Sequence, residues 1–417
     1  MNKKLISYVV IFGFGLFSPF SWSQIEIKTM VYNILRFPSS PPANREITLR
    51  NILQEYTPDI FMVNELDDAN GSNLLLNQSL KPLNPAFEAA TYYPNQSAND
   101  PLQQMLYYNS DKFELIFETL YPTTVRDINH YVLALKTADY DTDPINLHVF
   151  VTHLKSSTGT TNQQIRLQMV NVFLNALAGV PANDFVLFAG DLNLYTASEP
   201  AYQALLNTNN THVLVDPINA SGSWSNNANF AWVHTQSTRA ATVPGWGNSY
   251  ATGGLDDRFD FILIKQNMLT NPKLQYVPGT YQAYGNNGNC FDLSINNTNC
   301  TGTFSLATRQ LLFNMSDHLP VVMQLQSNKT LKNISPKITS KNWGTILQNP
   351  SNQWLEISME EDSYQELEIY NLQGQKMEGI YVPSGNFTKV WVEHWPTGVY
   401  WIKNKTLGGT ALKFVKQ

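Results

Sequence analysis

Apolar runs that end in polar residues recur along most of the chain and predict buried strands. Residues 185–188 (Phe-Val-Leu-Phe) form one such run, and Gly190, Asp191 and Asn193 follow it. Similar runs occupy residues 25–32, 59–63, 105–108, 145–151, 258–264 and 321–325. Between these runs, apolar residues spaced three and four apart predict amphipathic helices at residues 49–56 and 165–176. Strands that alternate with helices indicate an α/β fold.

Polar residues at the strand ends are the first chemical signal. Residues two apart on an extended chain point to the same side, so Asp191 and Asn193 are predicted to project together. The alternative is an Asx turn after the strand. The other strand-end residues are Asn33, Glu65, His153, Asp260, Asp317 and His318. Carboxylates, amides and two histidines at one sheet edge favour Mg²⁺, Mn²⁺ or Ca²⁺, whereas zinc favours more histidine or cysteine.

Residues 207–254 lack this periodicity. They are rich in Asn, Gly and Trp, and are predicted to form surface loops that border a site. Trp224, Trp232 and Trp246 fit either stacking on bases or lipid, or packing within the loops. Just before this region, Ser198 is predicted to cap a short helix. Five histidines have no motif around them and are predicted to be structural: His130, His148, His212, His234 and His394. For His234, a substrate contact is the alternative.

From residue 344 the pattern becomes all-β, after a polar, Lys-rich linker at residues 328–343. Short apolar strands are spaced regularly at residues 354–357, 367–370, 390–392, 399–402 and 412–415. This spacing predicts a small β-sandwich. It contains no cluster of residues suited to catalysis.

The N-terminus and the charge balance indicate export. Residues 1–23 combine Lys3, Lys4, an apolar run and two small residues, which is typical of a secretory signal peptide. The net charge is −6, and losing these two lysines makes it about −8. That charge argues against a broad basic surface for nucleic acid. It leaves open an enzyme that meets phosphate through a bound cation.

Cys290 and Cys300 are the two cysteines of the chain. In an oxidising compartment they are predicted to form a disulfide, with two free thiols as the alternative. After the signal peptide, the sequence has no apolar stretch long enough to span a membrane.

Six short motifs, in order, resemble those of the endonuclease/exonuclease/phosphatase superfamily of DNase I-like proteins. They are Val-Tyr-Asn at 31–33, Val-Asn-Glu at 63–65, Thr-His-Leu-Lys at 152–155, Gly-Asp-Leu-Asn at 190–193, Arg-Phe-Asp-Phe at 258–261 and Ser-Asp-His-Leu-Pro at 316–320. The resemblance implies a catalytic domain at residues 24–327. It also implies a four-layer α/β sandwich, in which two mixed sheets pack face to face with helices outside.

The resemblance implies a role for each strand-end residue. Glu65 is the expected main ligand of Mg²⁺ (or Mn²⁺ or Ca²⁺), and Asn33 and Asp317 are expected to assist, directly or through water. His318 is expected to act as a base or phosphate stabiliser, oriented by Asp260.

Four further residues are expected to meet water or substrate. By the same resemblance, Asp191 positions or deprotonates the attacking water, Asn193 binds the scissile phosphate and His153 serves the leaving group. Lys155 is expected to meet phosphate, with a solvated lysine as the alternative. The sequence departs from the DNase I-like pattern near residues 103–104, where two glutamines replace the glutamate that would support His153.

The tail resembles the C-terminal sorting domain of Bacteroidetes type IX secretion. The matching pieces are Asn-Pro at 349–350, the segment 367–375, Pro-Thr-Gly-Val-Tyr at 396–400 and the segment 413–417. The resemblance implies a domain at residues 344–417 that engages the secretion machinery and is then removed, leaving a secreted or cell-surface protein. A β-module that binds carbohydrate or a protein partner is the alternative.

The leading hypothesis is a secreted, divalent-metal-dependent phosphodiesterase, in particular a monomeric nuclease acting on extracellular DNA or RNA. Sphingomyelinase, phospholipase C-like or phosphomonoesterase activity is the alternative on the same fold. A catalytically silent binding protein is the alternative of another class.

Overall fold

The computed structural model describes residues 24–97, 100–247, 250–332, 343–360, 364–382, 386–406 and 411–417. The predicted signal peptide lies outside the described residues, as does the linker from residue 333 to residue 342. The chain divides into two compact units, Met1–Lys332 and Asn333–Gln417. In the described ranges, no helix combines the length and apolar character that crossing a membrane requires.

Strands and helices of the first unit follow one another in a mixed order. The strands are β1 (Ile25–Phe37), β2 (Ile60–Leu66), β3 (Phe87–Ala89), β4 (Gln103–Asn109), β5 (Phe113–Tyr121), β6 (Ile128–Leu135), β7 (Asn146–His153), β8 (Phe185–Asp191), β9 (Leu214–Val215), β10 (Asp260–Lys265), β11 (Gln275–Tyr276), β12 (Gln282–Ala283) and β13 (Val321–Ser327). The α-helices are α1 (Arg45–Glu55), α2 (Ala69–Leu74), α3 (Thr160–Leu177), α4 (Pro200–Leu205) and α5 (Leu306–Met315). A π-helical segment (Leu75–Leu80) follows α2, and 3₁₀ segments occupy Ala228–Val233 and Gln266–Leu269.

These strands form two mixed sheets. The first has the order β11–β13–β1–β2–β4–β3, with β12 also paired to β13. Its β1 and β2 run parallel, and its other neighbours run antiparallel. The second sheet has the order β5–β6–β7–β8–β10–β9, with β7 and β8 parallel and the other pairs antiparallel.

Alternate residues of the central strands face two different layers, because side chains alternate along a strand. Val149 of β7 belongs to a core that also contains Val63 of the first sheet. Phe150 and Phe188 face the opposite way and pack on Phe173 of α3, with ring centroids 5.0 and 4.0 Å away. Helices α1 and α5 pack with the first sheet. The predicted four-layer α/β sandwich is therefore confirmed.

The structure corrects the predicted start of α4. Ser198 precedes the helix, Glu199 occupies the N-cap position and Pro200 is the first helical residue. The buried Glu199 carboxylate lies 2.7 Å from the Arg166 guanidinium and accepts the Tyr195 N–H at 2.9 Å. Because proline suits the first helical position, the helix begins one residue later than a serine cap would place it.

Part of the region predicted as surface loops belongs to the core. Trp224 is fully buried, and its indole N–H donates to the Leu194 carbonyl oxygen at 2.6 Å. His234 is also buried and is held by the carbonyl oxygens of Trp224 and Leu255. Trp232, in contrast, is half exposed. His234 therefore has a structural role, as predicted.

The cysteines form the predicted disulfide, with an S–S distance of 2.07 Å. The loop between Cys290 and Cys300 packs on the region before β10. The N–H of Ile295 donates to the Thr238 carbonyl oxygen at 2.9 Å, and the N–H of Leu255 donates to Leu293 at 3.2 Å. The disulfide therefore braces the loops that lead into the sheet edge.

The second unit is all-β. Its strands are β14 (Gly344–Ile346), β15 (Trp354–Met359), β16 (Gln365–Asn371), β17 (Lys376–Val382), β18 (Phe387–Trp391), β19 (Gly398–Asn404) and β20 (Leu412–Lys416). They form a sheet β14–β15–β18 and a sheet β17–β16–β19–β20 around one apolar core. The five predicted strands are confirmed, and β14 and β17 are additional.

Candidate active site

Strands from both sheets end or begin beside one cavity of about 650 Å³. The strand register brings them together: His153 of β7 is paired with Asp191 of β8, and Asp191 with Asp260 of β10. In the other sheet, Asn33 of β1 is paired with Asn64 of β2. The cavity is lined by Leu35, Arg36, Glu65, Leu102, Arg126, His153, Ser156, Ser157, Asp191, Asn193, Gln236, Tyr250, Ala251, Asp317 and His318.

Asn64 joins the two sheets beneath this cavity. Its side-chain oxygen accepts the N–H of Asp191 at 3.1 Å, and its amide donates to the Thr152 carbonyl oxygen at 2.9 Å. The close approach of β7 and β8 at this point requires a glycine, because a Cβ on Gly190 would lie 1.8 Å from that same Thr152 oxygen. The glycine of the Gly-Asp-Leu-Asn motif thus lets Asp191 sit against its neighbours.

The amide of Asn33 gathers the acidic groups of the site. It donates to Glu65 Oε1 at 3.0 Å and to Asp191 Oδ2 at 3.1 Å. Glu65 adopts a left-handed backbone conformation (φ 61°), and its Oε2 accepts the N–H of Arg36 at 3.2 Å. Burial, followed by Asp317, raises the pKa of Glu65. Two carboxylates thus converge where burial disfavours their negative charge.

Asp191 and Asn193 form an Asx turn and also project into the cavity together. Asp191 Oδ1 accepts the N–H of Asn193 at 3.0 Å, which is an Asx turn. Both side chains also line the cavity. Burial raises the pKa of Asp191 to about 7. The amide of Asn193 donates to the Leu154 carbonyl oxygen at 3.3 Å.

His318 is held by Asp260 and faces the cavity. Its Nδ1 lies 2.7 Å from Asp260 Oδ2, and its Nε2 lies 2.6 Å from the Gln236 amide and 3.7 Å from Asp191 Oδ2. Burial alone would lower the pKa of His318, but Asp260 and then Asp191 outweigh it and raise the pKa well above its usual value. His318 is thereby suited to carry a positive charge beside a phosphate.

Asp317 precedes His318 in the chain and is bound by a neighbouring loop. Its Oδ2 accepts the N–H of Ala251 at 2.6 Å, and its Oδ1 lies 3.4 Å from Ser316 Oγ. Ser316 Oγ in turn donates to the Asn33 carbonyl oxygen at 2.6 Å. Asp317 therefore lines the cavity while part of its hydrogen-bonding capacity is used by the loop at Ala251.

His153 has an incomplete set of partners. Its Nε2 lies 3.4 Å from Asp191 Oδ2, and within the described ranges its buried Nδ1 has no hydrogen-bond partner. The amide of Gln103 donates to the Tyr93 carbonyl oxygen at 2.7 Å, and that of Gln104 donates to Asp127, so neither supports His153. Burial, followed by Arg126, lowers the pKa of His153, which favours the neutral ring.

Positive charge near the cavity comes from arginine more than from Lys155. Arg126 and Arg36 line the cavity, and Arg126 also lies 2.7 Å from Asp100. The Lys155 ammonium donates to the Ser156 carbonyl oxygen at 3.1 Å, and Lys155 does not itself line the cavity.

The donor set fits a divalent cation. One ligand atom each from Glu65, His153 and Asp191 lie within 4.8 Å of one another. Two carboxylates and one neutral imidazole suit Mn²⁺ or Mg²⁺ better than a soft ion. A bound cation would also offset the charge that burial disfavours on Glu65 and Asp191.

The motifs identified most of this site, and the loops supplied the rest. All eight strand-end residues lie at or directly behind the cavity, and Lys155 lies beside it. The cavity is also lined by three residues that the motifs do not predict: Arg36, Arg126 and Gln236. Arg126 lies just before β6, a strand that the sequence did not predict, and Gln236 lies in the irregular region 207–254. The prediction that this region borders a site is confirmed, because Tyr250 and Ala251 also line the cavity.

The structure resembles several solved structures at low identity. The human Nocturnin catalytic domain with bound sulfate anion is 18% identical over 72% of this chain and 94% of that chain, with a TM-score of 0.44. D. rerio TDP2 complexed with single-strand DNA product is 16% identical over 72% of this chain and 98% of that chain, with a TM-score of 0.46. An endonuclease/exonuclease/phosphatase from Beutenbergia cavernae DSM 12333 is 15% identical over 94% and 99%, with a TM-score of 0.43. No curated protein matches the chain.

Two family models match the sequence. Residues 346–417 match the secretion system C-terminal sorting domain, so the protein is directed to the secretion machinery and is secreted or held at the cell surface. Residues 30–318 match the model of the endonuclease/exonuclease/phosphatase family, which spans more than half of the chain. The chain therefore belongs to the endonuclease/exonuclease/phosphatase family.

Proposed function

We propose that this chain is a secreted, divalent-metal-dependent phosphodiesterase that hydrolyses extracellular DNA or RNA. The observation that best supports the proposal is the convergence of His318, held by Asp260, with Glu65 and Asp191 beside one cavity. Phosphodiester hydrolysis requires a positioned water, positive charge near the phosphate and protonation of the leaving oxygen. The cavity offers a group for each requirement. An intact set of such groups is unexpected in a silent binding protein.

Glu65, Asp191 and His153 would hold the cation, with Asn33 and Asp317 assisting. This set differs from the one implied by resemblance, because the ligand atoms of Glu65, His153 and Asp191 are the ones that lie within 4.8 Å of one another. When bound, a divalent ion neutralises charge on the phosphate and lowers the pKa of a coordinated water.

The remaining groups divide the proton transfers and the binding of phosphate. Asp191 lies among the cation ligands, so it is placed to orient the attacking water and to accept its proton. Positively charged His318 stabilises the phosphate oxygens through Nε2 and can give that proton to the leaving oxygen. The Asn193 amide and Arg126 bind the scissile phosphate, and Lys155 meets a neighbouring one. Neutral His153 has no carboxylate on Nδ1, so it is a weaker candidate for protonating the leaving group.

Nucleic acid is the preferred substrate because Arg36 and Arg126 line the same cavity as the carboxylates that would hold the cation. Two arginines and a bound cation, without a basic surface, suit a polyanion that is bound at a few phosphates. Secretion places that activity outside the cell.

A substrate panel tests the proposal. Purified protein is assayed with Mg²⁺, Mn²⁺ or Ca²⁺ on plasmid DNA, RNA, sphingomyelin and inositol phosphates, with His318→Ala as the control. Cleavage of DNA or RNA that is lost in the control supports the proposal. Cleavage of sphingomyelin or inositol phosphates alone would replace the nuclease with the alternative activity. Absence of metal-dependent turnover in folded protein would leave a binding protein.

Processing is part of the proposal. We expect cleavage after residue 23, a catalytic domain at residues 24–327, a linker at residues 328–343 and removal of residues 344–417. Intact-mass measurement of the protein recovered from culture medium gives both termini. A secreted product that retains residues 1–23 or 344–417 would contradict this scheme.

A further inference from the structure

We propose that Gln236 is a positioning residue that holds the His318 ring with Nε2 directed at the cavity; this role rests on the proposed function. Gln236 belongs to none of the six motifs and lies in the irregular region before β10. Its side chain lines the cavity, and its amide nitrogen makes the shortest contact of His318 Nε2, at 2.6 Å, as a donor to that nitrogen.

The backbone around Gln236 is fixed from both sides. The N–H of Gln236 donates to the Asp257 carbonyl oxygen at 3.0 Å, and its own carbonyl oxygen accepts the N–H groups of Asp256 and Asp257 at 2.9 Å each. The preceding residue, Thr235, accepts the N–H of Leu319 at 2.7 Å. Gln236 is therefore held between the chain leading into β10 and the turn that carries His318.

The side-chain hydroxyl of Thr235 extends this arrangement to the carboxylate. It accepts the N–H groups of Phe259 and Asp260 at 3.1 and 3.2 Å. Adjacent residues thus control the two ends of one chain of contacts: Thr235 fixes the backbone of Asp260, and Gln236 meets His318. Asp260 occupies Nδ1 of His318, so Nε2 is the ring nitrogen left for the cavity.

Other groups near Nε2 are less able to hold it. The Asn33 amide lies 3.4 Å away and already donates to Glu65 and Asp191. Asp191 Oδ2 lies 3.7 Å away, beyond hydrogen-bonding distance. Without Gln236, rotation of the ring would be resisted by the single contact with Asp260.

An amide suits this position chemically. It carries both a donor and an acceptor, so it pairs with Nε2 whether or not that nitrogen bears a proton. A carboxylate offers only an acceptor, and an aliphatic side chain offers neither.

Two variants and one matched control test the inference. Gln236→Leu keeps the approximate size and removes the hydrogen bond, whereas Gln236→Glu keeps an acceptor. Gln266→Leu makes the same change at an exposed site remote from the cavity. Thermal unfolding checks that all three fold like the parent protein.

The first readout is the ¹H–¹⁵N correlation of the His318 ring in resting protein without metal. Gln236→Leu is expected to shift the Nε2 resonance, Gln236→Glu to retain a hydrogen-bonded Nε2 and Gln266→Leu to change nothing. An unchanged Nε2 resonance in folded Gln236→Leu would overturn the inference. This arm requires no activity, so it decides the contact even if the proposed function fails.

The second readout is hydrolysis of the substrate identified by the panel. Gln236→Leu is expected to lower kcat by roughly 10- to 100-fold with KM within about threefold, because ring placement affects the chemical step more than binding. Equal kcat in Gln236→Leu and the parent would also overturn the role. A parent protein without turnover refutes the proposed function, and the resonance measurement separates that result from a wrong assignment of Gln236.

Discussion

Two histidine–aspartate pairs lie at opposite ends of strand β8. Beside its last residue, Asp191, the first pair is formed by His318 Nδ1 and Asp260 Oδ2, which lie 2.7 Å apart. Just before its first residue, the second pair is formed by His148 Nε2 and Asp184 Oδ2, which lie 3.0 Å apart. The pairs are similar in composition and distance. They differ in what the second ring nitrogen meets, and that difference separates a candidate site from a structural pair.

The second nitrogen of His318 faces the cavity, whereas that of His148 faces another histidine. His148 Nδ1 lies 3.0 Å from His130 Nε2, and the His130 ring stacks on Phe150 with centroids 3.9 Å apart. A second cavity of about 630 Å³ adjoins this end and includes Asp184 in its lining, but not His148. Cavity size and a paired histidine are therefore insufficient; the histidine itself must reach the cavity.

The largest expected effect contrasts the two histidines directly. His318→Ala should lower kcat by roughly 10³-fold, because it removes a group for proton transfer and charge stabilisation. His148→Ala should leave kcat within about threefold at a temperature where it remains folded, since it meets no reacting atom. Steady-state hydrolysis with matched circular dichroism spectra checks both. Equal losses in the two variants would erase the distinction between the ends.

Metal binding provides the next contrast. Glu65→Ala should weaken Mn²⁺ binding at least roughly 100-fold, because it removes an anionic oxygen ligand from a small donor set. Asp184→Ala removes a carboxylate at the other end and should leave affinity unchanged. Isothermal titration calorimetry on protein treated with chelator gives both values. Loss of binding in Asp184→Ala but not in Glu65→Ala would show that the cation binds near the first residue of β8 and would contradict the proposed site.

The orienting carboxylates give a smaller contrast. Asp260→Asn should lower kcat by roughly 10- to 100-fold, because the amide no longer selects and holds the reactive form of His318. Asp184→Asn should change kcat by less than about twofold. Comparable kcat values for Asp260→Asn and the parent would contradict the orienting role of Asp260.

Periodicity was sufficient to predict the main strands and the residues at their ends, because both depend on local alternation. The four-layer sandwich was implied by the resemblance that the six motifs carry. The two-residue spacing placed Asp191 with Asn193, and the five-residue spacing placed His148 on the face away from His153. Register within parallel and antiparallel pairs then brought distant motifs together.

The remaining features depend on contacts that have no period. Gln236 meets His318 through a loop whose path is set by hydrogen bonds to the chain before β10. His153 Nδ1 receives no hydrogen bond from Gln103 or Gln104, because their amides donate to the carbonyl oxygens of Tyr93 and Asp127. Trp224 is in the core because the Leu194 carbonyl oxygen satisfies its indole N–H. Sequence patterns carry no signal for such pairings.

The smallest expected effect concerns stability at the structural end. Burial, followed by His148, lowers the pKa of His130 to about 3, whereas the unfolded chain has a value of about 6.5. As the pH falls below 6.5, the unfolded state takes up the proton first, so His130 costs stability between pH 6.5 and 3 and nothing above that window. Between pH 7.5 and 4.5, His130→Gln should therefore lose about 1–2 kcal/mol less unfolding free energy than the parent. Urea unfolding at the two pH values checks this, with the exposed His394→Gln as control. An identical acid sensitivity in His130→Gln and the parent would mean that His130 is not held neutral, and the two ends of β8 would then differ chiefly in access to the cavity.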